Sequence, residues 1–256
     1  MPRAGASRLA ALVILALPFV SPRAAAAETH CRAIDGGTPE LTAIDAEVRL
    51  AWLNQHLRSG AARARIWAWT WRGAYSVVTA VEAGLAVTQT KTSDKAADII
   101  GASSSAIGVL ANFLLPLKVI GDANWWARHY ERERARGTDV CSLLNTAELL
   151  FIRDAQSEEF GVGPLTHIGT FAINIAGGLI LGLGYNRWAP FAYSSLVGIG
   201  VGEIQIATQP TDVVEDLRLY RRGELAARPS PPRLGVAFAP LVVPEGGAGA
   251  SILLRW

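Results

Sequence analysis

Six polar side chains interrupt the most apolar stretches of this 256-residue chain, and their chemistry is the first question that the sequence raises. They are two acids, one imidazole and three amides: Glu82, Asn112, His167, Asn174, Glu203 and Gln205. If the stretches lie in hydrocarbon, each of these residues is a candidate functional group, because polar groups there are expensive. His167 and Asn174 are seven residues apart and share one helical face. The alternative is that all six only form hydrogen bonds that fix helix packing.

Four apolar, glycine-rich segments carry these residues: 73–89, 99–117, 167–185 and 188–208. About twenty apolar residues in a helix span roughly 30 Å of hydrocarbon. The last two segments flank the short break at Asn186 and Arg187, which predicts a helical hairpin. Half of the residues are hydrophobic and the mean hydropathy is +0.25. The sequence therefore predicts a mainly α-helical bundle with four transmembrane helices.

Small residues recur at intervals of four within these segments. The pairs are Ala80/Gly84, Gly101/Ser105, Gly178/Gly182 and Gly198/Gly202. This spacing lets helix backbones approach closely, which is how helices associate in lipid. It predicts tight packing within the bundle and offers faces through which the chain could form a homo-oligomer.

Tryptophans stand at the ends of the apolar segments. They are Trp67, Trp69, Trp71, Trp125, Trp126 and Trp188. An aromatic belt at the level of the lipid headgroups predicts this placement. The alternative is that the indoles fill an ordinary protein core.

The N-terminus has the pattern of a secretory signal peptide. Arg3 and Arg8 form a positive region, residues 9–20 are apolar, and small residues at 24–27 permit cleavage before Glu28. An uncleaved anchor helix is the alternative. The formal charge of +2 falls to −1 on cleavage, since 21 basic residues then face 22 acidic ones. A near-neutral protein lacks the basic footprint of a nucleic-acid-binding protein.

The two cysteines, Cys31 and Cys141, both follow the signal peptide. An exported protein meets an oxidising compartment, so a disulfide between them is predicted. Two free, buried thiols are the alternative.

The remaining segments are amphipathic helices, predicted at 39–60, 122–136, 140–156 and 212–222, and a tail. In the tail, apolar runs at 234–243 and 248–256 flank a Pro-Glu-Gly-Gly turn and predict a β-hairpin. The domain organisation predicted is a signal peptide (1–27), a helical membrane bundle (28–226), and a linker with the hairpin (227–256).

Four spans would place both termini and both cysteines in the periplasm, with the protein in the inner membrane. The basic residues contradict this topology, because the exported parts hold most arginines and the cytoplasmic turns only Lys91, Lys95 and Arg187. Cytoplasmic loops normally carry the excess of Lys and Arg. A periplasmic or surface-attached helical bundle that binds an apolar ligand therefore stays open as an alternative.

No enzyme motif is visible: the chain lacks GxSxG, HExxH, a phosphate loop and any His/Cys metal spacing. No cofactor is indicated. The function predicted is an envelope protein with a structural or interaction role and the lipid bilayer as its partner. A membrane enzyme or small transporter that uses Glu82, His167, Asn174 and Glu203 is the remaining hypothesis, and it requires these side chains to converge.

Three segments, WAWTWRGAYSVVTA, DIIGASSSAIGVL and LVGIGVGEIQIATQP, resemble uncharacterised helical envelope proteins of Gram-negative bacteria. The resemblance covers residues 63–220. It implies a helical membrane protein and brings no activity and no site residues.

Overall fold

Helices dominate the part of the chain that the structure describes. This structure is a computed structural model, and it describes residues 28–226 together with the backbone of residues 235–243 and 247–255. The predicted signal peptide and the linker lie outside the described residues. The elements are α1 (Pro39–Thr42), α2 (Ala46–Thr88), α3 (Thr92–Leu114), α4 (Lys118–Ala135), α5 (Val140–Gly161), α6 (Pro164–Tyr185), α7 (Trp188–Ala207), α8 (Asp212–Arg221), β1 (Gly235–Val243) and β2 (Gly247–Arg255).

The 43 residues of α2 form one helix, about 64 Å long at 1.5 Å per residue. The predicted helix end at Gly60 is wrong. Gly60 is buried, and a Cβ there would lie 3.0 Å from Cγ2 of Val213, so close packing rather than helix termination explains the glycine. The helix begins at Asp45, whose side chain accepts hydrogen bonds from the N–H groups of Glu47 and Val48.

The first half of α2 packs with α4, α5 and α8 in a polar-surfaced bundle that we call the head (residues 28–72, 118–161 and 209–226). Apolar side chains at helical spacing on each of these helices point inward. The largest of the buried ones are Leu50, Leu53, Leu57, Trp126, Leu143, Leu144, Phe151 and Tyr220. The head therefore has the ordinary hydrophobic core of a protein folded in water.

The second half of α2 packs with α3, and α6 packs with α7, in what we call the apolar body (residues 73–114 and 164–207). Here the large apolar side chains point outward. Among the most exposed are Val87, Leu114, Leu183, Tyr193 and Leu196. The apolar body therefore has a hydrophobic surface in place of a large hydrophobic core.

Two stretches of the described chain, Thr92–Ala135 and Val140–Tyr185, contain an 18-residue window with a mean hydropathy of 1.6. Their apolar parts are α3 and α6. Only 11% and 17% of these windows are buried, whereas a core helix of a soluble protein is mostly buried. In the described part of the chain, two helices are therefore apolar enough to qualify as membrane spans, whereas the sequence predicted four.

Both hairpins of the apolar body turn at the same end, away from the head. Asn186, at φ 52°, ends α6 in the left-handed conformation, and α7 begins two residues later. Arg187 then joins the two turns, because its guanidinium lies 2.9 Å from Oδ1 of Asp94 and donates a 2.9 Å hydrogen bond to Oγ of Ser93. The α2–α3 and α6–α7 hairpins therefore lie parallel to each other and extend to the same distance from the head.

Exposure separates the tryptophans into two groups. Trp69, Trp125 and Trp188 are 59%, 40% and 50% exposed, as a belt at a membrane surface requires. Trp71 and Trp126 are buried, and Trp71 donates to the hydroxyl of Thr208 at the junction of head and apolar body.

The tail contributes the strands β1 and β2, which pair antiparallel with Gly235 opposite Arg255 and Val243 opposite Gly247.

The predicted disulfide between Cys31 and Cys141 is confirmed, with the two Cα atoms 5.5 Å apart. It joins the segment before α1 to the first turn of α5, at the end of the head farthest from the apolar body. The bond closes a loop of 110 residues.

We expect Cys31→Ser, or reduction of the bond, to lower the free energy of unfolding of the head by about 2–5 kcal/mol, since a loop of this length restricts the unfolded chain strongly. Chemical denaturation followed by tryptophan fluorescence measures this. Equal stability of the oxidised and reduced protein would contradict the expectation.

Candidate functional site

The six polar residues of the apolar body fall into separate groups. At the end of the body next to the head, His167 in the first turn of α6 lies beside Glu203 in the last turns of α7. Nδ1 of the imidazole donates to Oε2 of the carboxylate at 2.7 Å. The imidazole is 40% and the carboxylate 34% exposed. A His–Glu pair of this kind can carry a proton or hold a polar headgroup.

Asn174 lies on the same face of α6, two turns farther into the body. Its Nδ2 donates to the carbonyl of Thr170, and its own carbonyl accepts from Oγ of Ser195 on α7 at 3.1 Å. The side chain occupies the gap that Gly198 leaves. These contacts fix the α6–α7 packing.

Gln205 and Asn112 belong to a second network, between α7 and the α2–α3 hairpin. The hydroxyl of Tyr75 donates to Oε1 of Gln205 at 2.7 Å, and Nε2 of Gln205 donates to Oδ1 of Asn112 at 3.3 Å. Asn112 is 7% exposed. This network is the polar contact between the two hairpins at the head end of the body.

Arg72 completes this network at the end of α3. Residue 116 is a proline and has no N–H group. The carbonyl of Asn112 therefore lacks the donor that the residue four positions later would normally provide in a helix. Arg72 supplies two donors instead, Nε at 3.2 Å and a terminal nitrogen at 2.7 Å. Its guanidinium also lies over the rings of Trp69 and Phe113.

Glu82 lies apart from the others, between α2 and α3. It accepts a 3.3 Å hydrogen bond from Oγ of Ser105 and fills the space left by Gly101, where a Cβ would overlap its carboxylate. Glu82, His167, Asn174 and Glu203 therefore do not share one cavity. A shallow apolar groove of about 690 Å³ runs along the outer face of α6, and of the six residues only His167 lines it.

The glycines explain how the hairpins close. A Cβ at Gly178 would overlap Ser195, one at Gly198 would overlap Asn174, and one at Gly202 would overlap Thr170. Gly182 faces the ring of Trp188. Gly84, by contrast, has no other helix within 4 Å. Most of the small-residue pairs are therefore used inside the chain, between α6 and α7 or α2 and α3.

The head contains a buried charged group that the sequence analysis missed. Arg49 is fully buried; one of its terminal nitrogens lies 2.5 Å from Oε1 of Glu148, and its Nε donates to the hydroxyl of Tyr220 at 3.1 Å. Arg49 also donates to the carbonyl of Cys31 at 3.0 Å. Burial raises the pKa of Glu148. The Tyr220 hydroxyl and the Arg49 charge lower it by less, so the net change is upward. In the sequence, the one signal for this group is the position of Arg49 among apolar residues.

No three His, Cys, Asp or Glu side chains lie close enough to hold a metal ion anywhere in residues 28–226. No protein-family model, curated protein or solved structure matches this chain. The resemblance to Gram-negative envelope proteins therefore stays a prediction, and the assignment of a function depends on the chain's own residues.

We expect Gly198→Ala to weaken the α6–α7 contact by about 1–3 kcal/mol, because the added methyl group overlaps Asn174. Gly200→Ala is the matched control: it lies on the same helix with no atom of another element within 4 Å, and should be neutral or slightly stabilising. Unfolding of the detergent-solubilised protein measures both. Equal effects of the two variants would show that the close contact is unimportant.

We expect Arg49→Met to destabilise the head by about 3–5 kcal/mol, because it leaves Glu148 buried without its cation. The triple variant Arg49→Met, Glu148→Leu, Tyr220→Phe removes every side-chain partner of the group, leaving only the backbone carbonyls near Cys31, and should recover most of the loss. Urea denaturation compares the three proteins. If the triple variant is as unstable as the single one, the cost lies in packing and not in the unpaired charge.

Proposed function

We propose that this chain is an integral protein of the cell envelope, with a structural or interaction role. Four helices of the apolar body, the second half of α2, α3, α6 and α7, span the inner membrane, and the head lies on the periplasmic side. The observation that carries the proposal is the outward direction of the apolar side chains over all four helices. Soluble monomers rarely expose contiguous apolar patches larger than a few hundred Å².

The two ends of the apolar body support this orientation. The two turns away from the head carry Lys91, Lys95 and Arg187, and at the opposite end Arg72 and Trp69 lie where the headgroups would be. The hairpins are parallel, so the head is assembled on one side only. This is the arrangement that two membrane hairpins joined by a water-soluble segment would give.

The disulfide supports the periplasmic position of the head, because structural disulfides persist in oxidising compartments. The count of arginines favours the opposite orientation. Several of the head arginines are already engaged in ion pairs, among them Arg63 with Asp212 at 2.6 Å and Arg153 with Asp122 at 2.5 Å. We give the disulfide more weight, since it requires a particular compartment, while the charge rule describes a bias.

A structural or interaction role fits the polar residues better than catalysis does. The Asn174 and Gln205 contacts join helices, and Glu82 lies away from the His167–Glu203 pair. Of the four spaced small-residue pairs, Ala80/Gly84 is the one open to a homo-oligomer, because the glycines of the other three pairs face side chains of this chain.

Membrane fractionation with cysteine labelling tests the proposal. The protein should stay in the membrane after carbonate washing, and release only in detergent. A membrane-impermeant thiol reagent should label Glu131→Cys in the head of intact spheroplasts, and Lys91→Cys and Arg187→Cys only after the membrane is permeabilised.

Two outcomes would overturn the proposal. Release by osmotic shock or carbonate would favour the periplasmic or surface-attached bundle. Labelling of Lys91→Cys in intact spheroplasts, with Glu131→Cys protected, would show that the topology is inverted.

A further inference from the structure

Asp154 of α5 is a fully buried acid at the end of the head next to the apolar body. Its side chain is 0% exposed, and neither carboxyl oxygen meets a hydrogen-bond donor among the described residues. A carboxylate without donors in such a place is costly by several kcal/mol. A protonated carboxyl avoids this cost and brings a donor of its own.

The acceptor available to that donor is Asp122 of α4, the acidic neighbour of Asp154 across the α4–α5 contact. Arg153 binds both oxygens of Asp122, with a terminal nitrogen 2.5 Å from Oδ1 and Nε 2.9 Å from Oδ2. A second negative charge close to Asp122 is unfavourable, so this arrangement favours a proton on Asp154.

Glu158, one turn farther along α5, connects this pair to α8. It is 1% exposed, its Oε2 accepts from the N–H groups of Val213 and Val214 at 2.9 and 3.2 Å, and its Oε1 has no partner in the described part of the chain. Its backbone carbonyl accepts from Nε2 of Gln209, at the end of α7. α4, α7 and α8 thus all attach to α5 through these few groups.

The remaining charges around this cluster come from α2 and α8. Asp212 of α8 pairs with Arg63 of α2, and Asp216 of α8 faces His56 and Arg63. Arg63 thus serves the α8 acids, and Arg153 binds Asp122. The charge of Arg153 also favours ionised Asp154, but burial outweighs it, and no side chain of the described residues donates a hydrogen bond to Asp154.

We propose that Asp154 and Asp122 form a proton-binding site at the base of the head, and that loss of the proton loosens the packing of α4 and α8 on α5. The site does not depend on whether the apolar body spans a membrane, so it can fail or succeed independently of the proposed function.

The direction of the pH dependence follows from the burial of the two α5 acids. Burial raises the pKa of Asp154 to about 9, and the neighbouring Asp122 contributes in the same direction. Burial also raises the pKa of Glu158 to about 8, although the N–H groups of α8 lower it in part. Because an Asp in the unfolded chain has a pKa of about 3.9, the folded state holds the proton more tightly. The resulting stability is fully present below about pH 4 and is lost as the pH rises toward 9.

The experiment is urea denaturation of the full-length protein in detergent at intervals from pH 6 to pH 9, followed by the fluorescence of the head tryptophans. In the wild type, the unfolding equilibrium constant should rise about tenfold per pH unit for each proton retained on folding. Asp154→Asn replaces the protonated carboxyl by an amide that can still donate to Asp122. It should reduce the slope by about one proton and be the more stable protein above pH 8.

Glu159→Gln is the matched control, since it removes an exposed acid from the same helix and should keep the wild-type slope. Infrared spectroscopy gives a second readout, because the C=O stretch of protonated carboxyls at pH 7 should be weaker in Asp154→Asn than in the wild type, with the remaining intensity due to other buried acids such as Glu158. Wild-type stability that is constant or rises between pH 6 and pH 9 would overturn the proposal, even if the variant does not fold. An unchanged slope in Asp154→Asn would overturn it equally.

Discussion

The continuity of α2 is the constraint on which the rest of the structure depends. One helix carries the chain from a bundle with a hydrophobic core into a bundle with a hydrophobic surface, without a break in 43 residues. Its first half buries Leu50, Leu53 and Leu57, and its second half exposes Val77, Val81 and Leu85. Because one unbroken helix runs through both, the elements packed on its two halves are positioned by the same backbone.

The head and the apolar body provide partners for their buried polar groups in different ways. In the apolar body, amides and hydroxyls bond to backbone carbonyls and to each other, and glycines bring the helices close enough for this. In the head, charged groups are buried: Arg49 with Glu148, and Glu158 at the start of α8. Buried ion pairs contribute little net stability, but a missing partner is costly, so they favour one arrangement of the helices over others.

The sequence was sufficient for features that have a local cause. Pro164 and the Asn186–Arg187 break bound α6, Gly137 at φ +76° follows α4, and the cysteine pairing follows from there being only two. It failed at Gly60, since a glycine that ends a helix and one that admits a neighbouring helix look alike in a sequence. It also failed for Arg49 and Asp154. Their significance depends on partners 99 residues away for Arg49 and on another helix for Asp154, and no local pattern indicates which partner a buried charge has.

The position of the disulfide also orders the assembly of the molecule. Both cysteines precede α6 in the chain, so the bond can form without the second hairpin and without α8. α8 arrives last and brings Tyr220 to Arg49, and the N–H groups of Val213 and Val214 to Glu158. Without α8, the charged groups of α2 and α5 that it contacts would be open to water. The disulfide thus closes the part of the head formed by α2, α4 and α5, and α8, which follows the second hairpin in the chain, completes the buried polar contacts of that part.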